Sequence, residues 1–444
     1  MKPTRETLSG WGNHPRVGCD VFHPDRAARL RSLVSQGDSQ QLVARGLGRS
    51  YGDSATNKGR GVVDTNGLDR FVWFDEQTGL LTAEAGVSYA DLIDVLLPRG
   101  WFPMVTPGTK FVTLGGAIAA DVHGKNHHRD GSFNACVRSF TLLTPTGDVL
   151  TCSRQDNAEV FWATLGGMGL TGFILTATIQ LRKVASPFMD VTTTRVGNLD
   201  AMLEHFTKTD DDFTYSVAWI DCLAKGDKLG RGVVLQGEHA TGRLGPAPKK
   251  RSKSVPFDFP GFALNPLSVR TFNGVYYATH PTGNKREDVN TYFYPLDAVQ
   301  HWNRIYGRRG FVQYQPVFPQ ADGDKGVRAL IGRLAKEKRS SFLAVLKQMG
   351  AHEVGPLGFP LKGLTLAVDL PRAPGIDAFL GELDQLVLDH GGRVYLAKDA
   401  SMSAETFEQM YPKLDEFKQV KQLLDPEGVL SSDQSRRLGI TGPR

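Results

Sequence analysis

Three glycine-centred segments, set among short apolar runs, limit what this chain can fold into more than any other feature. The first, Arg45-Gly46-Leu47-Gly48-Arg49-Ser50-Tyr51-Gly52-Asp53-Ser54, follows the apolar run Gln41 to Ala44. Glycines interleaved with hydrogen-bonding residues let successive backbone N–H groups turn inward as an anion-binding nest. A pyrophosphate is the natural guest, and a tight turn without a ligand is the bland alternative. The second comprises Pro107-Gly108-Thr109 and the stretch Thr113 to Ala120 (TLGGAIAA), which runs into His123-Gly124-Lys125-Asn126-His127-His128. Small side chains over a helical turn capped by Thr113 would let a flat or phosphorylated ligand approach the backbone. The third, Gly167-Met168-Gly169-Leu170-Thr171-Gly172, has the G-x-G-x-x-G spacing of dinucleotide sites. That motif needs a strand before it and a helix after it. Here the order is reversed, which argues against a nicotinamide-type Rossmann site.

The surrounding pattern supports that exclusion. Short strands are expected at Gln41 to Ala44, Gly61 to Asp64 and Leu80 to Ala85. Ser88 and Asp91 form a capping-box signature for a helix over Tyr89 to Leu97, stopped at Arg99-Gly100. Phe140 to Leu143 and Val149 to Cys152 flank Pro145-Thr146-Gly147-Asp148 as a hairpin. Asn157 is expected to cap a helix through Glu159 to Leu165, ahead of a β-branched strand from Phe173 to Leu181. This is an α+β pattern, without regular βαβ alternation. Beyond residue 186, strands are expected at Gly310 to Val317 and Leu364 to Leu370, and helices at Gly323 to Lys336 and Ile376 to His390. Thr241 to Pro266, rich in Gly, Pro and basic residues, reads as a long mobile loop, and a helical tail starts at a Ser403 cap.

At 444 residues, the chain suits two to three domains with a large core. A net charge of +5, scattered among acidic residues, shows no clustered nucleic-acid footprint. Cys19, Cys136, Cys152 and Cys222 form no C-x-x-C pair and read as reduced thiols of a cytoplasmic protein. Neither a signal peptide nor a membrane-spanning stretch is legible, so a soluble protein is expected, at most peripheral to the inner membrane. The basic run Lys249-Lys250-Arg251-Ser252-Lys253 could touch lipid phosphates or an anionic membrane, although a solvated loop is the better reading. His123 and His127 stand at i, i+4 without the glutamate of an H-E-x-x-H site, and no metal is expected.

The glycine segments, the GGMGLTG turn and the DPEG tail resemble the flavin-binding domain of the vanillyl-alcohol oxidase superfamily. LSGWGNHPR, ARGLGRSYGDSA, PGTKFVTLGGAIAADVHGKNHHRDGSF, FWATLGGMGLTG, YSVAWID, WNRIYG, GFVQYQPV, YLAKDA and AETFEQMYPKLDEF resemble the decaprenylphosphoryl-β-D-ribose oxidase family within it. The resemblance covers nearly the whole chain. It implies an FAD domain over 1–186, completed by 393–444, and an antiparallel-sheet substrate domain over 187–392.

By matching motif, the resemblance assigns FAD contacts to Ala44, Arg45, Gly46, Leu47, Gly48, Arg49, Ser50, Tyr51, Gly52, Asp53 and Ser54. It adds Gly108, Thr113, Leu114, Gly115, Gly116, Ala120, Asp121, Val122, His123, Gly167, Gly172, Ile174 and Tyr395. His123 stands where many superfamily members bond the flavin covalently; in the closer family that bond is missing, which implies non-covalent FAD. Lys398, His123 and Tyr51 are the implied catalytic residues. Gln313, Gln315, Lys347, Thr365, Ala367 and Lys398 are the implied substrate contacts. Gln313 and Gln315 alternate with Tyr314, which sets both amides on one strand face.

The chain departs from the pattern at Ala367, a cysteine in mycobacterial members, and at Thr365, an amide there. The implied reaction is oxidation of the ribose C2 hydroxyl of a polyprenylphosphoryl ribose, with an NAD(P)H-dependent ketoreductase as partner. An FAD oxidase of a free sugar or aldonolactone is the alternative within the class. A zinc hydrolase and a non-catalytic binder of lipid-linked sugar are alternatives outside it.

Overall fold

The computed structural model describes residues 1–35, 41–248, 253–260, 264–339 and 342–442. The N-terminal part holds two sheets. In the four-stranded sheet, Thr4–Leu8 pairs antiparallel with Val17–Phe22, and Gly61–Asp64 and Leu42–Arg45 extend it in parallel. The six-stranded sheet is antiparallel, in the order Phe71–Phe74, Leu80–Glu84, Phe173–Lys183, Val137–Leu143, Val149–Ser153, with Trp101–Pro103 also on the long Phe173–Lys183 strand. Helix Ala158–Thr164 precedes that strand, so the G-x-G-x-x-G segment does link helix to strand.

A nine-stranded antiparallel sheet fills the second half. Its order is Gly283–Asp288, Phe188–Val196, Gly232–His239, Tyr215–Ile220, Ala344–Met349, Gly363–Pro371, Pro316–Pro319, Arg393–Val394, and Phe311–Tyr314 also pairs with Gly363–Pro371. Helices Leu199–Thr209, Gly323–Glu337 and Ile376–Asp389 bury apolar faces through Leu203, Phe206, Leu330, Leu334, Phe379 and Leu383. The architecture is thus two-domain α+β.

Local chemistry explains the elements that position the site. Ser88 and Asp91 close a reciprocal capping box on helix Tyr89–Leu96, which tightens into a 3-10 turn and stops at left-handed Gly100. Thr113 caps helix Leu114–Ala119 through the Gly116 N–H, and Ser403 caps Ala404–Met410. Three expectations change. Asn157 does not cap its helix: it sits at φ 48° and donates its side chain to the Thr151 carbonyl at 2.8 Å. The strand expected from Gly310 to Val317 breaks at Gln315, and both pieces pair with Gly363–Pro371. Within Thr241 to Pro266 the described residues include a two-residue strand, Lys253–Ser254, paired with Val299–Gln300. Lys249 to Ser252 of the basic run lie outside the described residues.

The C-terminal segment is fastened back onto the first glycine loop. Arg437 binds Asp53 with Nε at 3.0 Å and Nη2 at 2.7 Å, and its Nη2 reaches Asp399 at 2.9 Å. The Tyr51 N–H donates to the Ala397 carbonyl at 2.9 Å. Replacing Arg437 with Met would leave two buried carboxylates facing each other without their cation, a loss on the order of 3–5 kcal/mol. Urea unfolding should show that loss; a midpoint unchanged from the wild type would mean the triad does not hold the termini together.

Candidate active site

The site is built where one face of the nine-stranded sheet meets His123. Gln313 and Asp369 are cross-strand partners, as are Lys347 with Thr365 and Val345 with Ala367. Because side chains alternate along a strand, Thr365, Ala367 and Asp369 share a face. Gln315 donates to His123 Nε2 at 2.8 Å and to Thr365 Oγ1 at 3.3 Å, and Thr365 donates to the Pro316 carbonyl at 2.8 Å. Gln313 donates to Asp369 Oδ1 at 2.7 Å, and the Tyr306 hydroxyl donates to Asp369 Oδ2 at 2.9 Å. From the C-terminal segment, Lys398 Nζ stands 3.7 Å from the Tyr51 ring centre. Five of the six substrate residues expected from the sequence therefore share one sheet face, and Lys398 closes over Tyr51 beside them.

Burial sets the charges. The Lys398 amine is pulled down to about 7, chiefly by desolvation, with Asp369 opposing and Lys347 reinforcing. Desolvation likewise lowers Lys347 to about 8 and Lys125 to about 7. His123 is held well below its ordinary range by burial and then by Lys347, His127 and Lys398, so the imidazole is neutral. Asp369 is pushed up to about 7 by burial, against the bonds from Gln313 and Tyr306. Lys125 and Asp369 escaped the sequence reading. Lys125 lay inside a quoted motif and contacts the Tyr292 carbonyl and ring. The only signal for Asp369 was its i+2 spacing from Ala367.

The glycine segments converge on the same region. A Cβ on Gly46 would meet Thr113 Oγ1 at 2.4 Å, which locks the first segment onto the second. Gly48 is left-handed at φ 64°. Among the described residues, no atom accepts the backbone N–H groups of Leu47, Gly48, Arg49 or Ser50. Gly116 is open to solvent, and a methyl group added there would meet only Thr113 Oγ1, at 3.1 Å. The third segment closes on the second through Gly166 N–H to Ile118 and Met168 N–H to Ala119. Tyr395 donates to the Ala120 carbonyl at 2.7 Å, and its ring centre lies 5.1 Å from that of His123.

These open amides, with the orphaned Nδ1 of buried His123 and the orphaned Nε of Arg49, fit a large polar, phosphorylated group with a flat ring. Other expected contacts are structural in their side chains. Arg45 donates to the Ser9 and Ala55 carbonyls, Asp53 holds Arg437, and Asp121 accepts from Asn134. Ser54, Val122 and Leu114 are buried, as is Ile174, which pairs with Leu142. Gly115 abuts Ala85, Gly52 abuts the Asp399 carbonyl, and Gly167 abuts the Ala163 carbonyl. Gly172 packs on Leu142 and Leu143 in the six-stranded sheet, and exposed Gly108 precedes Thr109, which bonds Asp297. Among the described residues no group of three or more His, Cys, Asp or Glu side chains converges as a metal site.

Comparison with known proteins agrees with this geometry. Residues 21–153 match the family described as FAD binding domain, and residues 367–438 match D-arabinono-1,4-lactone oxidase. Fold and site thus define an FAD-dependent oxidoreductase of two domains. The chain is 38% identical to decaprenylphosphoryl-β-D-ribose oxidase of Mycolicibacterium smegmatis over 455 residues, covering 98% of each protein. It belongs to the decaprenylphosphoryl-β-D-ribose oxidase family. It is also 23% identical to L-gulono-1,4-lactone dehydrogenase of Mycobacterium tuberculosis, over 98% of this chain and 99% of that protein.

The raised Asp369 gives a pH test. Its folded value of about 7 lies above the unfolded carboxylate value, so between these the folded chain holds the extra proton. Its contribution to stability is present at low pH and is lost as pH rises through about 7. Asp369→Asn should therefore lose less stability than the wild type between acid and mildly alkaline pH in urea titrations. Parallel pH profiles for the two proteins would contradict a proton shared inside this cluster.

Proposed function

We propose that this protein oxidises the C2 hydroxyl of the ribose ring of a polyprenylphosphoryl-β-D-ribose to the 2-keto sugar. The observation that carries the reading is the convergence of Lys398, Lys347, Gln313, Gln315 and Asp369 on the side of the sheet that faces His123. FAD, held without a covalent bond, supplies the acceptor for the C2 hydride. The glycine segments around residues 44–54 and 113–123, with Tyr395, hold it. The non-covalent reading rests on the family resemblance: Gln315 engages His123 Nε2 and leaves Nδ1 without a partner. Lys398 orients the sugar hydroxyls, and once its amine has accepted a proton it offers positive charge where negative charge develops; such a contact gains strength in a dry site. The low value of its amine also lets Nζ take up the hydroxyl proton near neutral pH. Lys125 and Lys347 offer amines suited to a sugar phosphate, whose negative charge would hold them protonated against their burial, and Tyr51 shields the Lys398 amine above it.

The FAD domain spans 1–186 and 393–444 in this reading, and the substrate domain 187–392. A ketoreductase using NAD(P)H would complete epimerisation, and the protein would work in the cytoplasm, peripheral to the inner membrane. Among the described residues, no helix is long and apolar enough to cross a membrane. Oxidation of a free sugar or aldonolactone is the second reading, and the match over residues 367–438 is the observation on its side. Turnover with polyprenylphosphoryl ribose against free pentoses and lactones separates the two.

Lys398→Ala should purify with one FAD per chain, released intact by acid, while flavin reduction by substrate slows on the order of 100-fold to 1,000-fold. Bleaching of the flavin band at the wild-type rate would remove Lys398 from the chemistry. A flavinylated His123 peptide would contradict non-covalent binding.

A further inference from the structure

Helix Pro266–Thr279 (PLSVRTFNGVYYAT) is built the wrong way round for a surface helix. Its buried residues are Val269 and Asn273, whereas Leu267, Phe272 and Val275 face water. Leu267 is 76% exposed and Val275 57% exposed. Leu267, Thr271, Val275 and Ala278 recur at i, i+4, i+8 and i+11, one continuous uncharged stripe, and Arg270 is the helix's single charge. Exposed Phe257 lies in the segment hydrogen-bonded to Trp302–Tyr306 through Phe259 N–H to the Arg304 carbonyl. Phe272 packs on Phe342 at 5.2 Å, and Phe342 stacks on Tyr306 at 6.1 Å. Through Phe272 the helix lies on the outer side of an aromatic cluster whose inner side holds Tyr51 and bonds Asp369. Contiguous apolar surface of this kind on a soluble domain marks an interaction site.

Charge identifies the occupant. Arg270 is exposed on the helix itself; exposed Lys253, Arg308 and Arg309, with half-buried Arg304, belong to the Phe257 segment and the stretch it is bonded to, where Arg304 donates to the Val255 and Pro256 carbonyls. Among the described residues of 253–280 and 299–310, Asp258 is the single acid; Asp221 and Glu287 meet the helix at Asn273 and Tyr276, away from the exposed stripe. An apolar helix face rimmed by basic residues suits a surface that offers both hydrocarbon and negative charge. We infer that helix Pro266–Thr279 and the loop carrying Phe257 dock on an anionic lipid bilayer. Leu267, Phe272 and Val275 enter the headgroup boundary, and Arg270, Arg308 and Arg309 meet lipid phosphates. Docking in this orientation sets the Tyr306 side of the site toward the membrane, where a lipid-linked sugar would lie. That last consequence rests on the proposed substrate; the docking itself does not.

The test uses the FAD-loaded full chain and flotation with vesicles of phosphatidylcholine alone or mixed with phosphatidylglycerol. The wild type should float with the mixed vesicles, less so as salt rises, and remain behind with phosphatidylcholine alone. The double variant Leu267→Glu, Val275→Glu should bind the mixed vesicles about tenfold more weakly or worse. Its flavin content and thermal midpoint should not change, since both side chains already face water. Arg308→Glu, Arg309→Glu should abolish the salt dependence. Equal flotation of wild type and the Leu267/Val275 variant would overturn the inference. So would a wild-type dimer in solution that this variant turns into monomer, because a second copy would then cover the stripe. Flotation is read without turnover, so a wrong substrate would leave this result untouched.

Discussion

The ion triad of Arg437 with Asp53 and Asp399 is the constraint on which the rest of the site depends. The glycine loop and the Lys398 segment are separated by more than three hundred residues of sequence, and a flexible linkage cannot hold an amine 3.7 Å above a ring. The triad solves this with one guanidinium that serves both segments at once. Its fork geometry fixes directions as well as distances, which a lysine in the same place could not do. Gln434 adds bonds to the Leu396 carbonyl and to Asp399, and the Tyr51 backbone is fixed once its N–H donates to Ala397. Lys398, one residue before Asp399, is thus placed by groups that take no part in chemistry. Such support is what keeps a charged side chain in one pose when it is brought under an apolar cover.

Desolvation then gives the placed groups their character. Lys347 and Asp369 on the wall, with Lys398 and Lys125 brought in from other segments, would repel or pair in water, but here burial moves all four toward neutrality. Asp369 and Lys398 oppose each other's shift: the carboxyl favours the charged amine and the amine favours the carboxylate, while burial works against both. His123 stays neutral throughout, and a neutral imidazole keeps Nε2 free to accept from Gln315. The site is therefore poised by its dryness rather than by any single ion pair.

Much of this was legible in the sequence because local rules dominate locally. The Ser88 capping box, the Gly147 turn and the strand Gly61–Asp64 follow from short-range signals that the fold leaves undisturbed. Thr4–Leu8 was not legible, since its TRETL alternation is polar on both sides and only pairing with Val17–Phe22 makes it a strand. Strands Phe188–Val196, Tyr215–Ile220 and Gly232–His239 were also missed, although Met189-Asp190-Val191 alternates buried and exposed and Tyr215–Ile220 is a continuous buried run; their cross-strand partners make them plain. Lys125 and Asp369 were hidden because burial, which makes them unusual, is a tertiary property. Asn157 misled because a good capping residue was captured by the Thr151 carbonyl instead.

The two departures from the family pattern act on one wall in opposite ways. Thr365 keeps the polar function of the expected amide through a shorter reach: its hydroxyl is spent on the Pro316 carbonyl, and its oxygen still accepts from Gln315. Gln315 is thereby aimed at His123 in spite of the smaller side chain. Ala367 does no such substitution. Between Thr365 and Asp369 it contributes a methyl group opposite Val345, so the middle of the wall is short and apolar while both ends bind. A wall of this shape grips a ring at two edges and leaves room at its centre. Polar groups left unpaired by a ligand cost far more than an unfilled methyl-sized gap. In the proposed reaction, recognition at this wall would depend on hydroxyls that reach Gln313, Gln315 and Lys398, and the Ala367 position would govern how bulky a ring can be while still making those contacts.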